Sequence, residues 1–238
     1  MTARGTSAGT QYGETWVYES IIGALPGVDI SPGLALLIQF TVFEAAILVL
    51  AWVYGLWTAA AAGTVAVVVA TLGSAEMLRI GRRTRDADVP EAYRRLLFGS
   101  NVEVVLSVLA YIALLTHLFV YDLRTGGEPL VTTLFGPEPP VLVVYLTLLV
   151  LWDVCYRIGT GWWASVAALW RSVRFRFDGE THRQLLRADL ETLGFGLTQL
   201  ALVPFVLGQP VLLAAVVGHV LAVSTVTGLA ILLSWGQD

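Results

Sequence analysis

The sequence contains no lysine, so all 14 of its basic residues are arginine, and it contains one cysteine, Cys155. A single cysteine excludes a disulfide within the chain, and with it the small disulfide-stapled domains of secreted proteins. Charged residues make up only 13% of the chain, about half of the ~25% that soluble domains carry. This shortage argues against a large soluble domain and places the chain in the membrane class.

Motifs of well-known enzyme sites are also missing. The sequence has no His-Glu-x-x-His zinc motif, no Gly-x-Ser-x-Gly elbow and no glycine-rich phosphate loop. Its three histidines, His117, His182 and His219, are expected at three different depths in the membrane, which argues against a shared metal site. We therefore predict no catalytic, cofactor-binding or metal residues, and an enzyme is the least favoured class.

Long apolar runs are the dominant feature of what remains, since 56% of the residues are hydrophobic. A run of about twenty apolar residues matches the roughly 30 Å hydrocarbon thickness of a bilayer. The sequence predicts an all-α, polytopic membrane domain over residues 31–238, after a tail over residues 1–30. Its six transmembrane helices are expected at about Gly33–Tyr54, Thr58–Ile80, Asn101–Tyr121, Pro139–Ile158, Asp189–Leu207 and Val211–Trp235.

The arginines give the orientation of these spans. They are concentrated in two segments, 79–95 and 159–187, whereas the turns at Gly55 and Gly208 carry none. The positive-inside rule puts both basic segments, and with six spans both termini, in the cytoplasm of a multi-pass protein of the cell membrane. Because these arginines abut apolar runs, they suit anionic lipid headgroups better than nucleic acid.

Two further segments show apolar residues at helical spacing outside the spans. One runs from Glu14 to Leu25 and the other from Trp162 to Phe177. Both are predicted as amphipathic helices on the membrane surface. For the first, packing against the loops of the membrane domain itself is an equal alternative.

An internal repeat is a further hypothesis. Span 2 ends Arg79-Ile80-Gly81 and span 4 ends Arg157-Ile158-Gly159, each with an acid shortly before the arginine. Tandem two-helix hairpins pointing the same way would give this pattern, as parallel repeats do in transporters. Convergence on a common helix ending explains it equally well.

Polar residues inside the predicted spans form two layers. The first, near the cytoplasmic ends, contains Glu76, Arg79, Glu103, Asp153, Arg157 and Glu191. It is interpreted either as a set of topology anchors that pair with one another or as the mouth of a cation or proton pathway. Asp153 and Arg157 are four residues apart on one helix face, with the acid first, so we expect them to form a buried ion pair.

The second layer lies near mid-membrane and contains Glu44, Gln199 and His219. A charged residue at that depth costs at least ~2.5 kcal/mol, so Glu44 should face the bundle. One hypothesis is a small cation- or proton-linked transporter or channel component that uses these three residues. The alternative is a non-catalytic scaffold or partner subunit, alone or as a homo-oligomer, in which they only fix helix packing.

The lysine-free composition, rich in Ala, Val, Gly and Asp and with a net charge of −4, resembles that of halophilic archaeal proteins. In this respect the whole chain resembles the uncharacterised small membrane proteins of that group. The resemblance rests on composition without a diagnostic motif, and it implies no activity.

Overall fold

The computed structural model describes residues 15–16, 31–124, 128–177 and 179–235, and these ranges contain helices and no strand. The α-helices are α1 Pro32–Tyr54, α2 Trp57–Asp86, α3 Glu91–Phe98, α4 Val102–Thr116, α5 Leu130–Phe135, α6 Val141–Arg174, α7 Gly179–Thr198 and α8 Pro210–Trp235. A π-turn at His117–Tyr121 and a 3-10 turn at Asp122–Arg124 extend α4, and a 3-10 segment at Gln199–Phe205 extends α7.

The start and end of α1 show why the first hairpin forms where the sequence predicts it. The Ser31 hydroxyl accepts a hydrogen bond from the Leu34 N–H at 3.3 Å, and Pro32 occupies the first helical position. Gly55 ends the helix in the left-handed region at φ 72°, a conformation that glycine adopts without strain. The chain then enters α2 at Trp57, which confirms the predicted tight turn.

Five helical segments are long and apolar enough to cross a membrane: Pro32–Tyr54, Trp57–Asp86, Glu91–Arg124, Val141–Arg174 and Pro210–Trp235. They indicate a membrane protein. The predicted span at Asp189–Leu207 is not among them. Its apolar residues are divided between the second half of α7 and the 3-10 segment that contains Pro204, so the count of six spans stays a prediction.

Helix α6 differs from its prediction in length. It continues for 34 residues to Arg174, about 51 Å at 1.5 Å per residue, and therefore exceeds the hydrocarbon thickness. The prediction of a separate surface helix from Trp162 to Phe177 was wrong. Residues 162–174 form the second half of α6. Gly159 and Gly161 do not end the helix, since both are buried and lie against neighbouring helices.

The other predicted surface helix, Glu14–Leu25, lies outside the described residues except for Thr15 and Trp16. Trp16 is fully buried, donates its indole N–H to the Met77 carbonyl at 3.1 Å, and packs edge-on against Phe98. At this residue, at least, the tail packs on the helical domain.

Two apolar cores follow one another along the bundle, and α6 contacts α1, α2, α3, α4, α7 and α8. One core includes Ile47, Val67 and Val150, on α1, α2 and α6. The other includes Tyr93 and Leu185 and lies at the end that carries the arginine-rich segments. We call that end basal, and the opposite end, with the turns at Gly55 and Gln209, apical.

Close packing at the centre of the bundle depends on Gly73 of α2. A Cβ there would lie 2.6 Å from Cζ of Phe195 and 2.7 Å from Cβ of Arg157. Real Cβ atoms do not approach so closely, so a larger residue would push α7 or α6 away.

We expect Gly73→Ala to lower the free energy of unfolding by about 1–3 kcal/mol, the range typical of overpacked cores. Gly194→Ala is the matched control, because it lies on α7 with open space around its Cβ. It should raise stability by roughly 0.5–1 kcal/mol through helix propensity. Unfolding in mixed detergent micelles measures both, and equal effects of the two variants would contradict the tight contact at Gly73.

Candidate functional site

The ion pair predicted on α6 is present. Arg157 donates to Oδ1 of Asp153 at 2.8 Å, and the side chains are 1% and 17% exposed. Gln39 of α1 donates to the other carboxylate oxygen at 2.6 Å, and a second guanidinium nitrogen of Arg157 lies 3.3 Å from the sulfur of Met77. Through these contacts the pair joins α6 to α1 and α2. Asp153 lies about 18 Å along α6 from its first residue, Val141.

Of the four remaining residues in the first layer, Glu191 and Arg79 lie at the surface of the bundle or close to it. Glu191 of α7 accepts two hydrogen bonds from Arg83 of α2, at 2.8 and 3.3 Å, and both side chains are partly exposed. Arg79, one turn earlier on α2, is exposed. Arg83 was not among the predicted site residues. Its place in the basic segment 79–95 was the one signal in the sequence that it could pair with an acid of the first layer.

Two carboxyl groups of that layer, Glu76 and Glu103, are buried. Glu76 is 3% exposed. Its Oε1 has no hydrogen-bond partner among the described residues, while the Thr192 hydroxyl lies within hydrogen-bond reach of the carboxyl group. Glu191 lies close enough to act on it electrostatically, so the α2–α7 interface brings two acids together.

Glu103 is the more isolated of the two. It lies in the first turn of α4 and is fully buried, and its carboxyl group has no side-chain hydrogen-bond partner among the described residues, with its own backbone N–H as the one polar group close to it there. Gly159 of α6 faces this turn, and a Cβ there would lie 3.0 Å from the Ser107 nitrogen and 3.2 Å from the Glu103 carbonyl oxygen. Helix α6 therefore packs closely against the backbone of the turn that carries Glu103.

The three residues predicted near mid-membrane lie at separate interfaces. Glu44 accepts a 2.8 Å hydrogen bond from Thr64 on α2, Gln199 is buried in the 3-10 segment, and the ring of His219 is 6.2 Å from that of Trp162. Within the described ranges no hydrogen bond or ring contact joins these three residues to one another. Each keeps one buried polar atom without a partner there: Oε2 of Glu44, Nε2 of Gln199 and Nε2 of His219.

A buried network at the basal end was missed by the sequence analysis. Arg171 of α6 contacts Asp189 of α7 at 2.5 Å, with side chains 3% and 4% exposed. It also donates to the hydroxyl of Tyr93 on α3 at 3.1 Å, and its guanidinium lies 5.3 Å from the centre of that ring. The network joins α3, α6 and α7 at the basal end.

Metal ligands do not gather in the part of the chain that the structure describes, where no three His, Cys, Asp or Glu side chains are placed to hold an ion. Cys155 is buried and free.

The model of a family of unknown function, DUF7530, matches residues 11–230. No curated protein and no solved structure matches the chain.

Proposed function

We propose that this chain, which belongs to that family of unknown function, is a membrane transporter or channel component that handles protons or small cations. The protein would cross the cell membrane six times, with both termini in the cytoplasm. The crossing that adds to the five long apolar segments would be Asp189–Leu207, which is helical as far as Phe205. Gln209 just beyond it donates to the Glu128 carbonyl at 3.2 Å, in the loop between α4 and α6.

That topology has a direct test. A reporter enzyme inserted in the loop between residues 122 and 138 should report the exterior, and one fused after Asp238 should report the cytoplasm. A cytoplasmic signal from the loop would reverse the orientation and remove the arginine-rich end from the cytoplasm.

Glu103 is the observation that carries the functional proposal. An uncompensated carboxylate is costly inside a membrane, so such a side chain takes up a proton or a cation. Glu103 also lies in the first turn of α4. A helix N-terminus stabilises negative charge, so this position favours release of the proton. A carboxyl group between these two influences is suited to bind a proton and release it again.

Protons are favoured over metal cations by the chemistry of the site. A proton needs one carboxyl oxygen, whereas Ca²⁺ takes about six to eight oxygen ligands. Glu76 supplies a second buried carboxyl group, at the α2–α7 interface. We place Glu44, Gln199 and His219 in the membrane part of the same route, because each keeps a buried polar atom without a partner among the described residues.

Glu103→Gln should reduce proton flux to the rate of protein-free liposomes. The amide keeps the size of the side chain but neither ionises nor takes up a proton near neutral pH. The measurement is the fluorescence of a pH-sensitive dye inside proteoliposomes after a potassium diffusion potential is imposed.

Glu91→Gln is the matched control, since Glu91 forms an exposed pair with Arg95 on α3; its flux should equal that of the wild type. Equal flux in a folded Glu103→Gln protein would remove Glu103 from the mechanism. Absence of flux in the wild type would remove the transport proposal altogether.

A scaffold or partner subunit is the second candidate. It is favoured by the ion pairs Arg157–Asp153 and Arg83–Glu191, which neutralise half of the first charge layer and tie helices together. In that case the arginine-rich end would hold anionic lipid headgroups and a partner or second copy. Co-purification of a stoichiometric partner supports this candidate, and flux from the pure protein counts against it.

A further inference from the structure

The apical half of the bundle contains a niche of about 140 Å³ between α1, α2, α5 and α6. Fifteen of its sixteen lining residues are apolar. The exception, Thr147, donates its hydroxyl to the Val143 carbonyl at 2.8 Å.

We infer that this niche binds one segment of the hydrocarbon chain of a bilayer lipid. Cavities of about 150 Å³ with aliphatic linings stay dry and accept small apolar molecules. The niche offers no free donor or charge to a polar ligand, and the Thr147 hydroxyl is already bonded within its own helix.

Depth in the bundle supports a lipid chain as the occupant. Of the lining residues, Ile47 lies about 10 Å from the apical end of α1, and Ala66 and Leu151 lie about 14–15 Å from the apical ends of α2 and α6. All three therefore fall within the outer half of a hydrocarbon layer roughly 30 Å thick. The helices that form the niche also expose large apolar side chains close by in sequence, such as Trp52 and Val141.

Size argues against a partner helix as the occupant. A helix with its side chains is about 10–12 Å across, and the volume of the niche is too small for it. Leu134 and Phe135 of the short helix α5 also line the niche, so part of the loop between α4 and α6 closes over it. A single extended chain fits such a space.

The test uses the full chain in liposomes of phosphatidylglycerol with a photoactivatable diazirine in one acyl chain. After illumination and proteolysis, mass spectrometry should find adducts concentrated on the lining peptides of α2 and α5. Ala60→Phe, which fills the niche, should reduce them several-fold. Ala61→Phe should leave them unchanged, because Ala61 is an exposed neighbour that does not line the niche.

Ala66→Leu is a milder filling variant that keeps the test decisive if Ala60→Phe does not fold, and it should also reduce the adducts. Labelling spread evenly over the exposed faces, or undiminished in both filling variants, overturns the inference. So do cross-links between two protein copies at the lining residues, which would assign the niche to a second copy.

Discussion

Replacement of Asp189 by Asn should lower the free energy of unfolding by about 3–5 kcal/mol, as removal of one partner of a buried ion pair typically does. The amide keeps the shape of the side chain but leaves the Arg171 guanidinium, 3% exposed, without its counter-charge. Tyr93 supplies a hydroxyl and a ring face to Arg171, and neither carries a negative charge. Unfolding in mixed detergent micelles measures the loss.

The control for this prediction is again Glu91, whose pair with Arg95 is 73% exposed on both sides. Glu91→Gln should cost less than about 1 kcal/mol, as exposed pairs do. The double variant Arg171→Met, Asp189→Leu should recover most of the loss, because an apolar pair of similar volume often replaces a buried ion pair without penalty. If Asp189→Asn behaves like the surface control, the pair is accessible to water.

The Arg171–Asp189 contact could not be predicted from the sequence. The two residues are 18 positions apart on different helices, and Tyr93 comes from a third helix 78 positions before Arg171. No periodicity relates them, because their proximity depends on how α3 and α7 pack against α6. The sequence shows that arginines are abundant at the basal end, without showing which of them is buried.

Features set by local physics were predicted well. Ser31 and Pro32 begin α1 and Gly55 ends it, as capping rules indicate. Long apolar runs identified five helical segments that could cross a membrane. Asp153 and Arg157 could be paired in advance because an acid and a base four residues apart always share a helix face.

The sequence predicted the end of span 4 at Ile158, in the run Arg157-Ile158-Gly159, whereas α6 continues to Arg174. In the structure Gly159 instead lets α4 approach α6, since a Cβ there would lie 3.0 Å from the Ser107 nitrogen. Tertiary packing keeps the helix intact through the glycines. For the candidate site, the sequence identified Glu76 and Glu103 as polar residues in apolar runs, but only the packing of neighbouring helices shows how deeply each is buried.

A double-mutant cycle on Asp153 and Arg157 should show strong coupling. Asp153→Asn alone and Arg157→Gln alone should each lower thermal stability in detergent by more than the double variant does. Each single change leaves one charge buried without its opposite, at a cost of about 3–5 kcal/mol, and the double change removes both charges.

The two single losses should also be unequal. Arg157 is 1% exposed and Asp153 is 17% exposed, so a stranded arginine is shielded from water more completely than a stranded aspartate. Gln39 would still donate to Asp153 in the Arg157→Gln variant, through its 2.6 Å hydrogen bond. We therefore expect Asp153→Asn to be the more damaging change. Losses that simply add would show that the residues are not energetic partners, and Asp153 would then join Glu103 as a candidate for proton binding.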